Sequence, residues 1–392
     1  MNRRAARHRA ARKDATPGAR NLYIASTPLI ALEASAAALA LGGRSRLVLI
    51  EDFDLASRLA NLLRDWPDCP FDSIELLPGR YTEHQRGAGG DRRRVLDFVH
   101  RIRTKRELRD ETLATLRRID TELQPDTVWV GNDRKVECQY ALHLASTRIG
   151  ARAGRYLDDG LHTYLGRSRQ RPLVRWIDSL VKRVGYGHWG ERVRQLGTTS
   201  WIAEAWLAFP ELAVDADPAR VRNRLPLGWF NNRAFRRLAL LAAADFDVDR
   251  AALAGCSIVL VLPHSRLIAA DVDLRDRLAN FIRFAGERNQ RVALKQHPRE
   301  MHADPLGLAG DNSALLLPSA LPMELLLPLL ASGAALVGEA STALLAARWL
   351  RPDLSVFDFG QSSGDYMERA RAFLALHGVV DLHGELINLL SR

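Results

Sequence analysis

Apolar residues fall in short blocks whose period changes along the chain. Asn21-Leu22-Tyr23-Ile24-Ala25-Ser26, apolar at its centre, predicts a first strand, and Thr27-Pro28 then turns the chain. An alanine-rich helix is predicted over 29–41, ended by Gly42-Gly43. A strand over 47–50, a helix over 54–66 and a strand over 74–77 follow. This β-α-β-α-β alternation is the pattern of a parallel sheet with crossover helices. Beyond a Gly-rich loop at 86–91, the pattern predicts a long charged helix over 93–123, a strand over 127–131 and a helix over 136–148. The turn Asp158-Asp159-Gly160 comes next.

Residues 167–240 read differently, as a helical basic insert closing the first domain, from the spacing of Leu173, Trp176, Ile177, Leu180 and Val181. Arg171, Arg175, Lys182 and Arg183 border that apolar face, which fits either core with a charged rim or a membrane-surface helix. Alternation restarts after Gly255. Strands are predicted over 257–262, 292–295, 314–317, 334–337 and 354–357. Helices are predicted over 273–287, 322–331, 341–350, 366–377 and 385–391. The second half thus reads as a second Rossmann-like unit. The expected organisation is a basic disordered tail over 1–20, an N-terminal domain over 21–245 and a C-terminal domain over 246–392, with the boundary inside 242–255.

Composition narrows the class. A chain of 392 residues, 47% hydrophobic and 26% charged, suits two globular domains. Cys69, Cys138 and Cys256 form no CxxC pair or zinc spacing, which fits a reducing compartment. No apolar run is long enough to span a bilayer, and the head lacks the apolar segment of a secretory signal. The expected location is therefore cytoplasmic. Of the net charge of +10, the first twenty residues carry seven Arg and Lys against one Asp. That head is either a solvated tail or an electrostatic contact with anionic lipid at the inner membrane or with a polyanion. The rest of the chain lacks a basic helix interleaved with aromatics, so no specific nucleic acid is expected.

Four short motifs could carry chemistry. Lys295-Gln296-His297-Pro298 ends a predicted strand, where ligands bind in open parallel sheets. His297 is either a general acid or a loop histidine bonded to backbone. Asp158-Asp159-Gly160 is either an ordinary turn or a base site in which one carboxylate takes a proton while its neighbour holds the turn. Ser341 and Thr342 open a helix after Gly338-Glu339-Ala340, as caps or as part of a phosphate site. Glu324 lies in the first turn of a helix, either complementing its dipole or bonding ribose hydroxyls. There is no Gly-x-Gly-x-x-Gly, P-loop or zinc motif.

Taken in order, Asp158-Asp159-Gly160, His297-Pro298 and Ser341-Thr342 resemble the motifs of the bacterial sialyltransferases, especially the capsular polysialyltransferases and the lipooligosaccharide sialyltransferases. The opening Asn21–Leu29 stretch, with Ser26 and Thr27 at its turn, is similar to their first strand and turn. The resemblance implies an α/β architecture of GT-B type, two Rossmann-like domains with parallel sheets facing an interdomain cleft. It implies inverting, metal-independent transfer of sialic acid or a related acidic sugar from a CMP-sugar to a glycan or lipid-linked glycan, in capsule or lipopolysaccharide synthesis. No cofactor is implied. Asp158 or Asp159 would be the base and His297 the acid; Gly160, Lys295, Pro298, Glu324, Ser341, Thr342, Ser26 and Thr27 would bind substrate. Arg152, Arg155, Arg167 and Arg169 would either attract an anionic substrate or form a solvated rim. The alternatives are a GT-B transferase using CMP-Kdo or a nucleotide-diphosphate sugar, and a non-catalytic basic protein that binds polyanions or membranes.

Overall fold

The computed structural model describes residues 18–82, 94–166, 189–193, 195–213, 220–298, 300, 306–307, 314–360, 364–383 and 386–391. Most of the arginine-rich head, the 86–91 loop, the Leu173–Val181 face with its basic border, Arg167 and Arg169 lie outside them. The chain divides into two compact units, Met1–Trp229 and Phe230–Arg392.

The first unit is built on a seven-stranded parallel sheet. Its strands are β1 (Arg20–Ala25), β2 (Arg44–Ile50), β3 (Ser73–Leu77), β4 (Thr127–Val130), β5 (Gly154–Leu157), β6 (Ile202–Leu207) and β7 (Val221–Arg224), in the order β3-β2-β1-β4-β5-β6-β7. The central strands are buried on both faces, which is why they read as apolar runs rather than alternations. Leu22, Ile24, Val128 and Val130 pack with Leu116, Ile119 and Leu123 of the helix Arg94–Leu123. On the other face Tyr23 stacks on Trp129, with ring centroids 5.6 Å apart. Helix Pro28–Leu41 starts where Thr27 Oγ1 accepts the Ile30 N–H at 3.3 Å, with Pro28 in the first turn. Gly131 ends β4 hard against this helix: a Cβ there would fall 2.3 Å from Ile30 Cδ1.

The second unit repeats the winding with six parallel strands. These are β8 (Cys256–Val261), β9 (Arg291–Lys295), β10 (Ala314–Leu317), β11 (Ala335–Gly338), β12 (Ser355–Asp358) and β13 (Val380–Asp381), in the order β10-β9-β8-β11-β12-β13. Ile258, Leu260, Val292, Leu294 and Val337 pack with Leu278, Phe281 and Ile282 of the amphipathic helix Val272–Glu287. In both sheets the strand order reverses once, between β1 and β4 and between β8 and β11. The carboxyl ends flanking such a reversal are where open α/β sheets hold ligands.

The structure departs from the sequence reading in three places. Residues 202–207 and 221–224 are strands, not part of a helical insert. Ile-Ala-Glu-Ala-Trp-Leu is rich in helix formers, but it pairs with β5, and Trp206 stacks on Trp229 with centroids 5.1 Å apart. The helix expected over 322–331 is one turn, Met323–Leu326, followed by a 3-10 turn, Leu327–Leu329, because Pro328 supplies no N–H for the next turn. The segment expected as a helix over 385–391 is a 3-10 turn, Leu386–Ser391. Helix Arg233–Asp245 lies within the second unit, and Phe230 just before it meets Trp349 edge-on at 5.0 Å.

Candidate functional site

In the first unit the chemistry-bearing residues collect at the carboxyl edge of the sheet. Gly160, with φ of 68°, turns the chain out of β5 into the short helix Leu161–Leu165. The two carboxylates at this turn are not equivalent. Asp158 is buried and bonded on both oxygens. Its Oδ1 accepts the Gly160 N–H at 2.9 Å, and its Oδ2 accepts the Ala208 N–H at 2.9 Å. The Tyr164 hydroxyl also donates to Oδ2. Asp158 therefore ties the β5 turn to the end of β6. Burial raises its pKa, and these donors oppose the rise.

Asp159 is anchored through its backbone, whose N–H donates to Thr163 Oγ1 at 2.9 Å, and its side chain stays partly exposed. Burial, then the charge of Asp158, pushes its pKa up to about 7, against the pull of Arg134 and Lys135. A carboxyl group that changes protonation near neutrality and can reach solvent has the properties of a general base.

The loop after β4 is anchored at the same edge. Buried Asp133 accepts the Gly197 and Thr199 N–H groups, both at 2.9 Å. Lys135 Nζ lies 2.6 Å from Asp52 Oδ2, with both side chains mostly buried, joining the ends of β4 and β2. Ser26 is buried at the end of β1, and the Thr27 hydroxyl is occupied as the helix cap.

In the second unit, Lys295 is buried at the end of β9. Its Nζ donates to the Gln296 carbonyl at 2.8 Å and to the Ser319 carbonyl at 2.9 Å, linking the loops after β9 and β10. Burial lowers its pKa to about 8, while Glu324 pulls it upward. Glu324 is itself raised by burial, opposed by its own backbone N–H and by Lys295. His297 is half-buried and Pro298 exposed. The His297 carbonyl accepts the Glu300 N–H at 2.9 Å.

Ser341 takes the N-cap position of helix Thr342–Leu350, with φ of −153° and ψ of 165°, but its side chain makes no cap bond. Its Oγ is buried and pairs with no group among the described residues. A buried hydroxyl without a partner costs free energy unless something completes it. The helix N-terminus beside it offers amide donors of the kind that bind phosphate.

His297 and Ser341 do not stand on neighbouring strands. β8 lies between β9 and β11, and its end carries Pro263 and His264. The His264 and His297 rings are 5.3 Å apart at 52°. Sequence reading passed over His264, although Leu262-Pro263-His264 offers the same cue as His297-Pro298: an imidazole beside a proline at the end of an apolar run. Glu300, also missed, is buried, with Oε2 accepting the Ser265 N–H at 2.7 Å and Oε1 the Ser265 hydroxyl at 2.9 Å.

No protein-family model matches the sequence, and no curated protein matches it. Solved structures do. A putative UDP-N-acetylglucosamine 2-epimerase from Listeria monocytogenes superposes with a TM-score of 0.53 at 13% identity, covering 96% of this chain and 88% of that one. The α/β-galactoside α-2,3-sialyltransferase of Photobacterium phosphoreum gives 0.52 at 9% identity, covering 93% and 98%. The UDP-GlcNAc 2-epimerase of Neisseria meningitidis, bound to UDP-GlcNAc, gives 0.50 at 10% identity, covering 95% and 90%. With two parallel sheets wound alike, the chain has the two-domain α/β fold of GT-B type. At these identities the likeness defines the fold, and the chemistry has to be argued from the side chains.

Proposed function

We propose that this protein is an inverting glycosyltransferase that moves sialic acid, or a related acidic sugar, from a CMP-sugar to a hydroxyl of a glycan acceptor, without a metal ion, in capsule or lipopolysaccharide synthesis. The observation that carries the reading is the division of labour at residues 158 and 159. One carboxylate is spent on three donors, and the other is left accessible and titrates near 7. A second reason is the orphan Ser341 hydroxyl at a helix N-terminus on the sheet that also carries His297.

The chemistry follows from the groups available. Asp159 takes the proton of the acceptor hydroxyl as its oxygen bonds to the anomeric carbon. The bond from that carbon to the CMP phosphate oxygen breaks, and the configuration inverts. His297 gives its proton to the departing phosphate. Ser341, Thr342 and the amides of their helix hold that phosphate. Lys295 adds positive charge while fixing the His297 loop. Glu324 accepts the ribose hydroxyls, and Ser26, Thr27, Gly160 and Pro298 contribute to the walls of the substrate sites.

The test is nucleotide release from a donor panel of CMP-sialic acid, CMP-Kdo and UDP-sugars, with and without a chelator. The reading expects CMP-sugars alone to be consumed, at equal rates in both conditions. Turnover of UDP-sugars alone would replace it with a nucleotide-diphosphate-sugar transferase or an epimerase. No turnover of any donor would favour a binding protein.

A further inference from the structure

The second sheet brings a second imidazole to the edge where the phosphate of the proposed donor would sit. Adjacent strands are about 4.8 Å apart, so the ends of β9 and β11 stand roughly 10 Å from one another. The space between them belongs to β8, whose end flanks the strand-order reversal. Register fixes that end: Val261 pairs with Lys295, and the Leu262 N–H donates to the Lys295 carbonyl at 2.9 Å. His264 follows two residues later.

Its ring is oriented by its neighbours. The Arg266 N–H donates to His264 Nδ1 at 3.2 Å. A nitrogen that accepts carries no proton, so the neutral ring holds its proton on Nε2. Glu300 Oε2 lies 3.9 Å from Nδ1. Glu300 also grips Ser265 through both oxygens and bonds the His297 carbonyl through its own N–H. One buried residue thus bonds both histidine loops, its carboxylate to Ser265 and its backbone N–H to the His297 carbonyl. The side chain of His264 is 28% exposed, so its outer edge can be reached.

Resting on the proposed transfer from a nucleotide sugar, we infer that His264 is a further binding residue of that site, donating a hydrogen bond from Nε2–H to the phosphate that His297 protonates. The division of tasks is chemical. A ring with Nδ1 held as an acceptor presents a fixed donor, whereas the acid must give its proton away. A second donor on the phosphate would lower the charge that His297 has to neutralise, and it would stand between His297 and Ser341.

The experiment uses the full chain. His264→Asn keeps an acceptor for the Arg266 N–H but removes the outer donor. His264→Gln places an amide near the position of Nε2. Inorganic phosphate, CMP and UDP are titrated by calorimetry, and the imidazoles are followed by nitrogen-resolved NMR. Wild type should show His264 as the Nε2–H tautomer, with the His264 and His297 signals moving at one midpoint as phosphate is added. His264→Asn should bind phosphate and the nucleotide that the wild type accepts about tenfold more weakly, and His264→Gln should recover part of that loss. Equal affinity in wild type and His264→Asn, or a phosphate midpoint seen at neither ring, overturns the inference. The two readings fail separately. Turnover of CMP-sugars with affinity indifferent to residue 264 leaves the donor reading standing and removes this one. Binding of UDP but not CMP, with the His264 dependence intact, does the reverse.

Discussion

Replacing Asp159 with asparagine should cost activity and add stability, and the pairing of those signs is the informative result. In the folded protein the carboxyl holds its proton up to about 7, against an ordinary value of 3.8. The unfolded chain loses that proton first, so the native state gives up stability as pH rises from about 4 to 7 and bears the full cost above 7. At about 1.36 kcal/mol per pH unit, the ceiling is roughly 4 kcal/mol. Partial exposure screens the group, so about 1–2 kcal/mol is the gain expected of Asp159→Asn at pH 8, with almost none at pH 4. Urea unfolding of the whole protein at both pH values measures it. Turnover should fall by about 10²–10⁴-fold, the usual share of a general base. The wild-type rate should rise with pH along an acidic limb that ends at about 7, and the variant should lose that limb. A variant that turns over within threefold of wild type, or one destabilised at pH 8, would refute the reasoning.

Asp158→Asn should do the opposite. An amide offers one acceptor oxygen to three donors, leaving Ala208 N–H, Gly160 N–H or the Tyr164 hydroxyl facing an NH₂ group, and unfolding should come about 1–3 kcal/mol sooner. His297→Ala should reduce turnover by about 10²–10⁴-fold while leaving the urea midpoint within experimental error; an active variant would remove the acid assignment. Lys135→Met should destabilise by about 3–5 kcal/mol because it leaves Asp52 buried without its cation, and adding Asp52→Leu should restore part of the loss, read by the same unfolding curves. Ser341→Ala should leave stability unchanged or slightly higher, since its hydroxyl has no protein partner among the described residues, yet weaken CMP binding by calorimetry several-fold.

Much of the fold was legible because parallel strands buried on both faces write themselves as apolar blocks: Leu22–Ala25, Leu47–Ile50 and Ile258–Val261 all lie in strands where the pattern put them. β6 was not legible, because Ala203, Glu204 and Ala205 favour a helix in isolation, and only pairing with β5 makes them strand. At the acidic turn, the residue types gave two adjacent carboxylates but not which of them is held. That difference arises from Ala208 and Tyr164, one of them fifty residues away in sequence. His264 shows a further limit. A histidine gains meaning from the strand order that sets it beside His297, and strand order is invisible in a linear reading.

Because every strand in each sheet runs the same way, the chain enters all of them from one edge and leaves at the other, where the acidic turn of the first unit and the two histidine loops of the second follow their strands. The entry edge of the first unit includes the turn at Gly150, with Ala151 and Arg152 exposed and open space around the glycine. A dye or affinity handle inserted after Ala151 would therefore sit a strand's length from the acidic turn and report on the protein without touching its chemistry.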